Sequence, residues 1–136
     1  MDTGGNSGSQ ACVSIIRDIS LNEIEFRDLG RVVWKEIRVS VLCGVCLAVA
    51  CFAKIVVVDM LLLKSESVTY LVAFVVCATM AVTVCLAKIV GSTLPLLAKK
   101  LGFDPAVMAS PIITTIVDFL SLLVYFAFAT AILGIG

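Results

Sequence analysis

The sequence predicts an all-α, polytopic helical membrane protein with three complete transmembrane helices, a preceding partial helix and an interfacial amphipathic helix. The first observation is composition, because 61% of the 136 residues are hydrophobic and only 15% are charged. A soluble domain of this length could not hide so much apolar surface in its core. The second observation is the arrangement of the apolar residues in three long runs, each exceeding the ~20 residues needed to cross a bilayer.

The amino-terminal segment, at about residues 3–19, is predicted to be the end of a membrane helix. Residues 3–10 are small and polar, whereas residues 11–19 are mostly apolar. Glycines and small hydroxyl side chains permit close backbone approach and can face water, which suits the wall of a pore. A disordered amino-terminal tail has a similar composition, so both interpretations stay open.

Residues 20–38 are predicted to form the interfacial amphipathic helix. Ser20 and Glu23 have the spacing of a capping box, which would place the start of this helix here. Apolar and charged residues then follow at helical spacing, with Trp34 expected at the level of the lipid headgroups. The helix is expected to run directly into the first complete span, at residues 39–63.

The other two spans are predicted at residues 68–98 and 105–133, so that residues 1–136 form one membrane domain. Basic residues are concentrated before the first span, and two more lysines follow the second span. By the positive-inside rule, loops 17–38 and 99–104 are cytoplasmic and the carboxyl terminus is outside. The predicted location is the cell (plasma or inner) membrane.

Composition also excludes several classes of function. The net charge is zero and histidine is absent, so neither a basic nucleic-acid surface nor histidine-based zinc or acid–base chemistry is expected. Cys43 and Cys46 form a C-x-x-C sequence, but it lies inside an apolar helical pattern without a second cysteine pair. The six cysteines are therefore interpreted as packing residues.

Asp118 is the most informative single residue, since it lies near the middle of the apolar run at 106–133. An ionised carboxylate at that depth costs about 2.5–3.5 kcal/mol to insert. Ser110, Thr114 and Ser121 share a helical face with it. This polar stripe predicts either an ion path or a seam of hydrogen bonds between helices.

Other charges within the spans bear on that choice. Lys88 lies ~15 Å from the cytoplasmic end of its helix, at a depth similar to that of Asp118. A Lys88–Asp118 ion pair would neutralise the carboxylate and favour a structural role, whereas a snorkelling Lys88 would leave Asp118 able to meet a cation. Lys54 and Asp59 are expected to snorkel to the outer interface.

An enzyme is not predicted. An intramembrane aspartyl protease needs two neighbouring aspartates that share a proton. Asp59 lies near the outer end of its helix and Asp104 lies in a surface loop, so neither would meet Asp118 within one subunit.

Three motifs resemble the MgtE family of magnesium transporters. Residues 104–126, which contain Asp-Pro-Ala-Val-Met-Ala-Ser-Pro and Asp118, resemble the family's last transmembrane helix. Residues 4–10 and 90–102 resemble its second-helix motif and the end of its fourth helix. The order and spacing of these motifs cover nearly the whole chain.

The resemblance implies a homodimer in membrane lipid, with an ion path along the dimer axis between the second and fifth helices of each subunit. It implies Mg²⁺ as the transported ion and Asp118 as the metal-site aspartate. The pore-lining residues would be Asn6, Gly5, Ser110, Thr114 and Ser121, with Asp104 at a possible cytoplasmic mouth.

The family's amino-terminal sensor domain, paired CBS domains and first transmembrane helix have no counterpart in this sequence. The chain is therefore expected to be the carboxyl-terminal part of an MgtE-like transmembrane domain, with the missing parts of the parent transporter among its partners. A structural or assembly role, in which Asp118 pairs with Lys88 or with another helix, is the alternative.

Overall fold

The computed structural model describes residues 2–62, 70–108 and 111–134, and their side chains except those of residues 59–62 and 133. Helices dominate the described part of the chain, which contains no strand. They are α1 (Asp2–Ser20), α2 (Leu29–Lys54) with a π-helical continuation (Ile55–Leu62), α3 (Tyr70–Lys100) and α4 (Pro111–Leu133), with 3₁₀ turns at Phe26–Asp28 and Pro105–Met108.

The predicted fold class is confirmed. Three stretches are long and apolar enough to cross a membrane, namely Phe26–Val58, Tyr70–Lys100 and Pro111–Ile132. Helix α1 is a fourth, more polar helix that precedes them.

The turn after α1 differs from the sequence prediction, because Ser20 ends a helix and does not start one. The Ser20 hydroxyl donates a hydrogen bond to the Ile16 carbonyl at 2.9 Å. Asn22 has a φ of 55°, and the Glu23 amide donates to the Asp18 carbonyl at 3.0 Å. This is the hydrogen-bond pattern of a Schellman motif, which asparagine supports because it tolerates the left-handed conformation.

Helix α2 unites the end of the predicted interfacial helix with the first predicted span. The 3₁₀ turn begins after Glu25, whose amide donates to Asp28 Oδ2 at 3.2 Å, and α2 follows from Leu29. Polar residues give way to apolar residues along α2, but no break occurs near residue 38. A change in polarity does not end a helix when each residue can still donate its backbone hydrogen bond.

Helix α3 is central, since α1, α2 and α4 all pack against it. The α1–α3 contact is closest at Gly8 and Gly91, where a side chain on Gly91 would overlap the Gly8 carbonyl. Cys12, Ala87, Ile113 and Val117 form a buried cluster that joins α1, α3 and α4. Small residues allow this backbone approach, as is common between membrane helices.

The loops before α2 and before α4 lie at the same end of the bundle. The ammonium group of Lys100, at the end of α3, lies 4.1 Å above the centre of the Phe26 ring. Leu96 also packs in a buried cluster with Ile19 and Val32. The predicted placement of both loops on one side of the membrane is compatible with this arrangement.

Candidate functional site

Asp118 lies on α4, and it is the one charged residue in the sequence of that helix. The residue is half-buried, and its Oδ1 atom is buried without a hydrogen-bond partner among the residues that the structure describes. Buried carboxylate oxygens normally accept hydrogen bonds. Asp118 is therefore a polar group whose partner is not supplied by the described part of this single chain.

Lys88 does not neutralise Asp118, because its charge is matched on another helix. The Lys88 ammonium lies 3.7 Å from the carboxylate of Glu36 on α2, and both side chains are 12% exposed. None of the ion pairs found in the described part of the chain includes Asp118. The Lys88–Asp118 pair considered from the sequence is thus replaced by a Lys88–Glu36 pair between α2 and α3.

The other members of the predicted stripe on α4 have different surroundings. Thr114 is half-buried, and its hydroxyl donates to the Pro111 carbonyl at 3.1 Å. Ser121 points into the bundle, where its buried hydroxyl donates to the Val117 carbonyl at 2.6 Å. Ser110 lies outside the described residues, so its predicted place in the stripe is not observed.

Helix α1 packs against α4 through its glycines. A Cβ atom on Gly5 would lie 3.2 Å from Thr114 Cγ2, so Gly5 is buried between the two helices. A Cβ atom on Gly4 would lie 3.2 Å from Val117 and 3.5 Å from Ser121, which are one residue before and three residues after Asp118. Asp118 is therefore level with the first turns of α1.

The outer side of α1 carries a stripe that we call the polar face. It consists of Asp2, Asn6, Gln10, Ser14 and Arg17, all of which are exposed. Asn6 donates a hydrogen bond to Asp2 Oδ2 at 3.2 Å. Because these side chains cannot face lipid tails without cost, the polar face needs water or a second protein surface in a bilayer.

Sequence reasoning included Asn6 but missed the other members of the polar face. The sequence does contain a pattern that predicts the polar face. Polar side chains recur every four residues, a spacing that keeps them on one side of a helix, at Asp2, Asn6, Gln10 and Ser14. A helix whose apolar residues occupy one side and whose polar residues occupy the other is expected to separate two different environments.

A small cavity of about 140 Å³ lies between α1, α3 and α4. Its polar lining includes Thr79 and Thr83 of α3 and Ser121 of α4. The Oγ1 atom of Thr83 is buried and lacks a hydrogen-bond partner within the described part. These α3 threonines were not predicted from the sequence, because their proximity to Ser121 depends on helix packing.

Asp104 has a local structural role in this chain. Its Oδ1 atom accepts a hydrogen bond from the Ala106 amide at 2.9 Å, which fixes the turn into Pro105–Met108. Gly102 precedes it with a φ of 81°, and the Phe103 amide donates to the Ala98 carbonyl, so α3 also ends in a Schellman motif. Asp104 is exposed at the loop end of the bundle.

Residues that could enclose a bare metal ion are not gathered in the described part of the chain. No group of three or more cysteine, aspartate or glutamate side chains forms a metal site there. All six cysteines are free, and Cys46 of the C-x-x-C sequence is exposed. Within the described part of the chain, Asp118 is therefore an isolated carboxylate on α4.

Comparison with known proteins identifies the family. The chain matches the MgtE family, described as divalent cation transporter, over residues 1–128. The chain belongs to the MgtE family. This membership agrees with the three helices that are long and apolar enough to span a membrane, and the chain is a multi-pass membrane protein of this family.

Similar proteins include magnesium transporters of three bacteria. Magnesium transporter MgtE of Bacillus subtilis is 33% identical over 127 residues, covering 93% of this chain and 26% of that protein. Magnesium transporter MgtE of Thermus thermophilus is 33% identical over 133 residues, covering 98% and 28% respectively. Magnesium transporter MgtE of Enterococcus faecalis is 31% identical over 128 residues, covering 94% and 26%. The chain thus spans about a quarter of the length of these MgtE relatives.

Proposed function

We propose that this chain contributes to a path for a divalent cation, magnesium, across the membrane, with Asp118 as the carboxylate that holds the hydrated ion. The observation that carries the proposal is the buried Oδ1 atom of Asp118, which lacks a partner in the described part of the chain. Family membership and the names of the three relatives support the choice of ion.

The electrostatics of the bundle favour a cation at Asp118. Glu36 satisfies Lys88 on the other side of α3, so the Asp118 carboxylate is not neutralised by the basic residue nearest to it in predicted depth. An ionised carboxylate within the membrane is expensive unless a counter-charge or water accompanies it. A hydrated divalent cation supplies both, because it brings positive charge together with its own water ligands.

The chemistry of magnesium fits a site with few protein ligands. Mg²⁺ sheds its water reluctantly and is commonly held by one or two carboxylates together with several water molecules. We propose that a second copy of the chain supplies the second Asp118 across a dimer axis. Two ionised aspartates facing each other repel, and a divalent cation between them relieves that repulsion.

The polar face of α1 supports the same arrangement. Asp118 is level with the first turns of α1, where Asp2 and Asn6 are exposed. In a homodimer, the polar face and Asp118 would border one hydrated path and avoid the lipid. We propose Asn6, Thr114 and Ser110 as pore-lining residues, with Asp104 at the mouth. Gly5 and Ser121, which the sequence also predicted to line the pore, are buried within the bundle and would support the wall of the path from behind.

The orientation follows from the basic residues at one end of the bundle. The α1–α2 and α3–α4 loops lie together, and Lys99 and Lys100 are exposed there beside the basic first turns of α2. The positive-inside rule therefore favours cytoplasmic loops at 17–38 and 99–104 and an outer carboxyl terminus, in the cell membrane.

A magnesium titration followed by backbone NMR of the detergent-solubilised chain tests the proposal. Saturable shifts at Thr114 and Asp118 are expected with Mg²⁺ but not with K⁺, and they should be lost in Asp118→Asn. Glu23→Gln is the matched control, because it makes the same carboxylate-to-amide change at an exposed loop position. Identical Mg²⁺-dependent shifts in wild type and Asp118→Asn would refute the assignment of Asp118.

The second candidate is a structural or assembly module in which Asp118 joins two protein surfaces. Its unpartnered Oδ1 atom would also suit a hydrogen bond from another chain. This role predicts that Asp118→Asn weakens self-association in detergent without any effect of Mg²⁺. Under the ion-path proposal, Mg²⁺ should strengthen self-association of the wild type and have no such effect on Asp118→Asn.

A further inference from the structure

A shallow groove of about 430 Å³ runs along the outer face of α2, near the start of that helix. We call it the cationic groove. It is lined by Arg31, Trp34, Lys35, Arg38, Val39 and Leu42. The three basic residues are followed along the helix by aliphatic ones, so one end of the groove is cationic and the other is apolar.

The cationic groove faces away from the rest of the bundle. Helix α2 buries Val32, Ser40 and Gly44, whereas the basic residues of the groove are exposed. The Trp34 ring is 64% exposed. Residues 31, 35, 38 and 42 recur at three- or four-residue spacing, which keeps them on one side of the helix.

The positive charge of the groove is largely unmatched by protein. Arg31 Nη1 lies 3.9 Å from Asp28 Oδ1, a long contact at an exposed site. Glu36, the acid closest in sequence to Lys35 and Arg38, is engaged with Lys88 in the α2–α3 interface. Ion pairs found in the described residues do not include Lys35 or Arg38.

We infer that the cationic groove binds an anionic glycerophospholipid, with the phosphate at Arg31, Lys35 and Arg38 and an acyl chain along Val39 and Leu42. Charge complementarity selects this occupant, because the cations lie where a helix enters the bilayer and the apolar lining continues toward the hydrocarbon. Arg31 and Arg38 are seven residues apart, or about 10 Å along the helix axis, so the three cations extend across the whole polar region of one leaflet, which is about 5–8 Å deep. Trp34 belongs at the same level, since tryptophan favours the membrane interface.

Trp34 is the one tryptophan of the sequence, so its fluorescence reports directly on the groove. The full chain is reconstituted in phosphatidylcholine bilayers that contain a small fraction of brominated phosphatidylglycerol or, separately, brominated phosphatidylcholine. Quenching by the brominated anionic lipid is expected to saturate at a mole fraction about 10–30-fold lower than quenching by the zwitterionic lipid, given the attraction of basic residues to anionic lipid.

Matched variants separate a built site from general electrostatic attraction. Lys35→Gln/Arg38→Gln should remove most of the preference for anionic lipid. Arg17→Gln/Lys99→Gln also removes two positive charges, but from exposed positions outside the groove at the same end of the bundle. This variant should retain the preference for anionic lipid. Lys35→Arg/Arg38→Lys changes the same two residues but preserves both charges, and it should also retain the preference for anionic lipid. This variant therefore distinguishes an effect of lost charge from an effect of lost fold.

Four results would overturn the inference. Equal quenching by the two lipids would mean that the groove does not select charge. Equal loss of preference in the two glutamine variants would mean that net charge is responsible and that no site exists. An absence of quenching by either lipid would mean that protein covers the groove. Restoration of unquenched fluorescence by inorganic phosphate would assign the cations to free phosphate and not to lipid.

Discussion

Replacing Gly91 with alanine tests the contact between α1 and α3 at Gly8, where the two backbones leave no room for a side chain. A Cβ atom on Gly91 would overlap the carbonyl oxygen of Gly8, and it would lie 2.9 Å from the Gly8 carbonyl carbon and 3.1 Å from its Cα. All three atoms belong to the backbone, so no rotation of a side chain can relieve the contact. The variant must move one helix relative to the other.

The size of that movement follows from ordinary carbon–carbon contacts. Such contacts need about 3.5–4.0 Å, so α1 would have to shift by roughly 0.6–1 Å at the crossing point. Overpacking of this kind costs about 1–3 kcal/mol. The helix propensity of alanine opposes the effect by about 0.5–1 kcal/mol, because glycine is unfavourable inside a helix. A net loss of about 1–2 kcal/mol in the free energy of unfolding is expected.

Unfolding in mixed detergent with increasing SDS, followed by circular dichroism, measures the change. Gly30→Ala is the matched control, since Gly30 also lies in a helix but a Cβ atom there would meet no atom within 4 Å. That variant should unfold at the same or a higher SDS fraction than the wild type. Gly91→Ala unfolding at the same SDS fraction as Gly30→Ala would refute the reasoning about the α1–α3 contact.

Three further predictions use the same SDS titration. Lys88→Met and Glu36→Gln should each lower the free energy of unfolding by about 3 kcal/mol, because each variant leaves the other member of a largely buried ion pair without its partner. The double variant should lose less than the sum of the two single losses, and additive losses would argue against the pair. Thr83→Val removes a buried hydroxyl that lacks a partner among the residues that the structure describes, so stability should stay constant or rise by up to ~1 kcal/mol. A clear loss would mean that the hydroxyl has a partner such as water. Gly102→Ala places a side chain at a φ of 81° and should cost about 1–2 kcal/mol; an unchanged midpoint would show that α3 can end in another conformation.

The membrane helices were predictable because their signal is local. Three apolar runs of sufficient length predicted three spans, and the structure has three helices that are long and apolar enough to cross a membrane. The helix bounds differ, because α2 begins at Leu29, ten residues before the predicted span, and α4 begins at Pro111, six residues after the predicted start. The isolated charge of Asp118 was equally visible, since no other charged residue lies in the sequence of α4. Local sequence was less informative at Ser20–Glu23, which fits both a capping box and the end of a helix.

The partners of the charged residues were not predictable from sequence. The depth of Lys88 in the membrane could be predicted, but the helix toward which its side chain points depends on how α3 is rotated relative to α2 and α4. Close packing of Gly44 against Ala81, with a Cβ position 3.2 Å from the Ala81 carbonyl oxygen, brings α2 beside α3. That contact allows Glu36 to reach Lys88, although the two residues are 52 positions apart in the chain.

The sequence by itself determined which segments are long and apolar enough to cross a membrane and that an acid lies within the last one, because bilayer thickness and the cost of burying charge act on each segment separately. The tertiary structure decided that Lys88 pairs with Glu36 and that α1 presents a polar face outward. It also left one oxygen of Asp118 without a partner among the described residues. These features depend on the rotation and register of packed helices. The rotation and the register are set by contacts between glycines and small side chains on different helices. The hydropathy pattern of one helix does not specify those contacts.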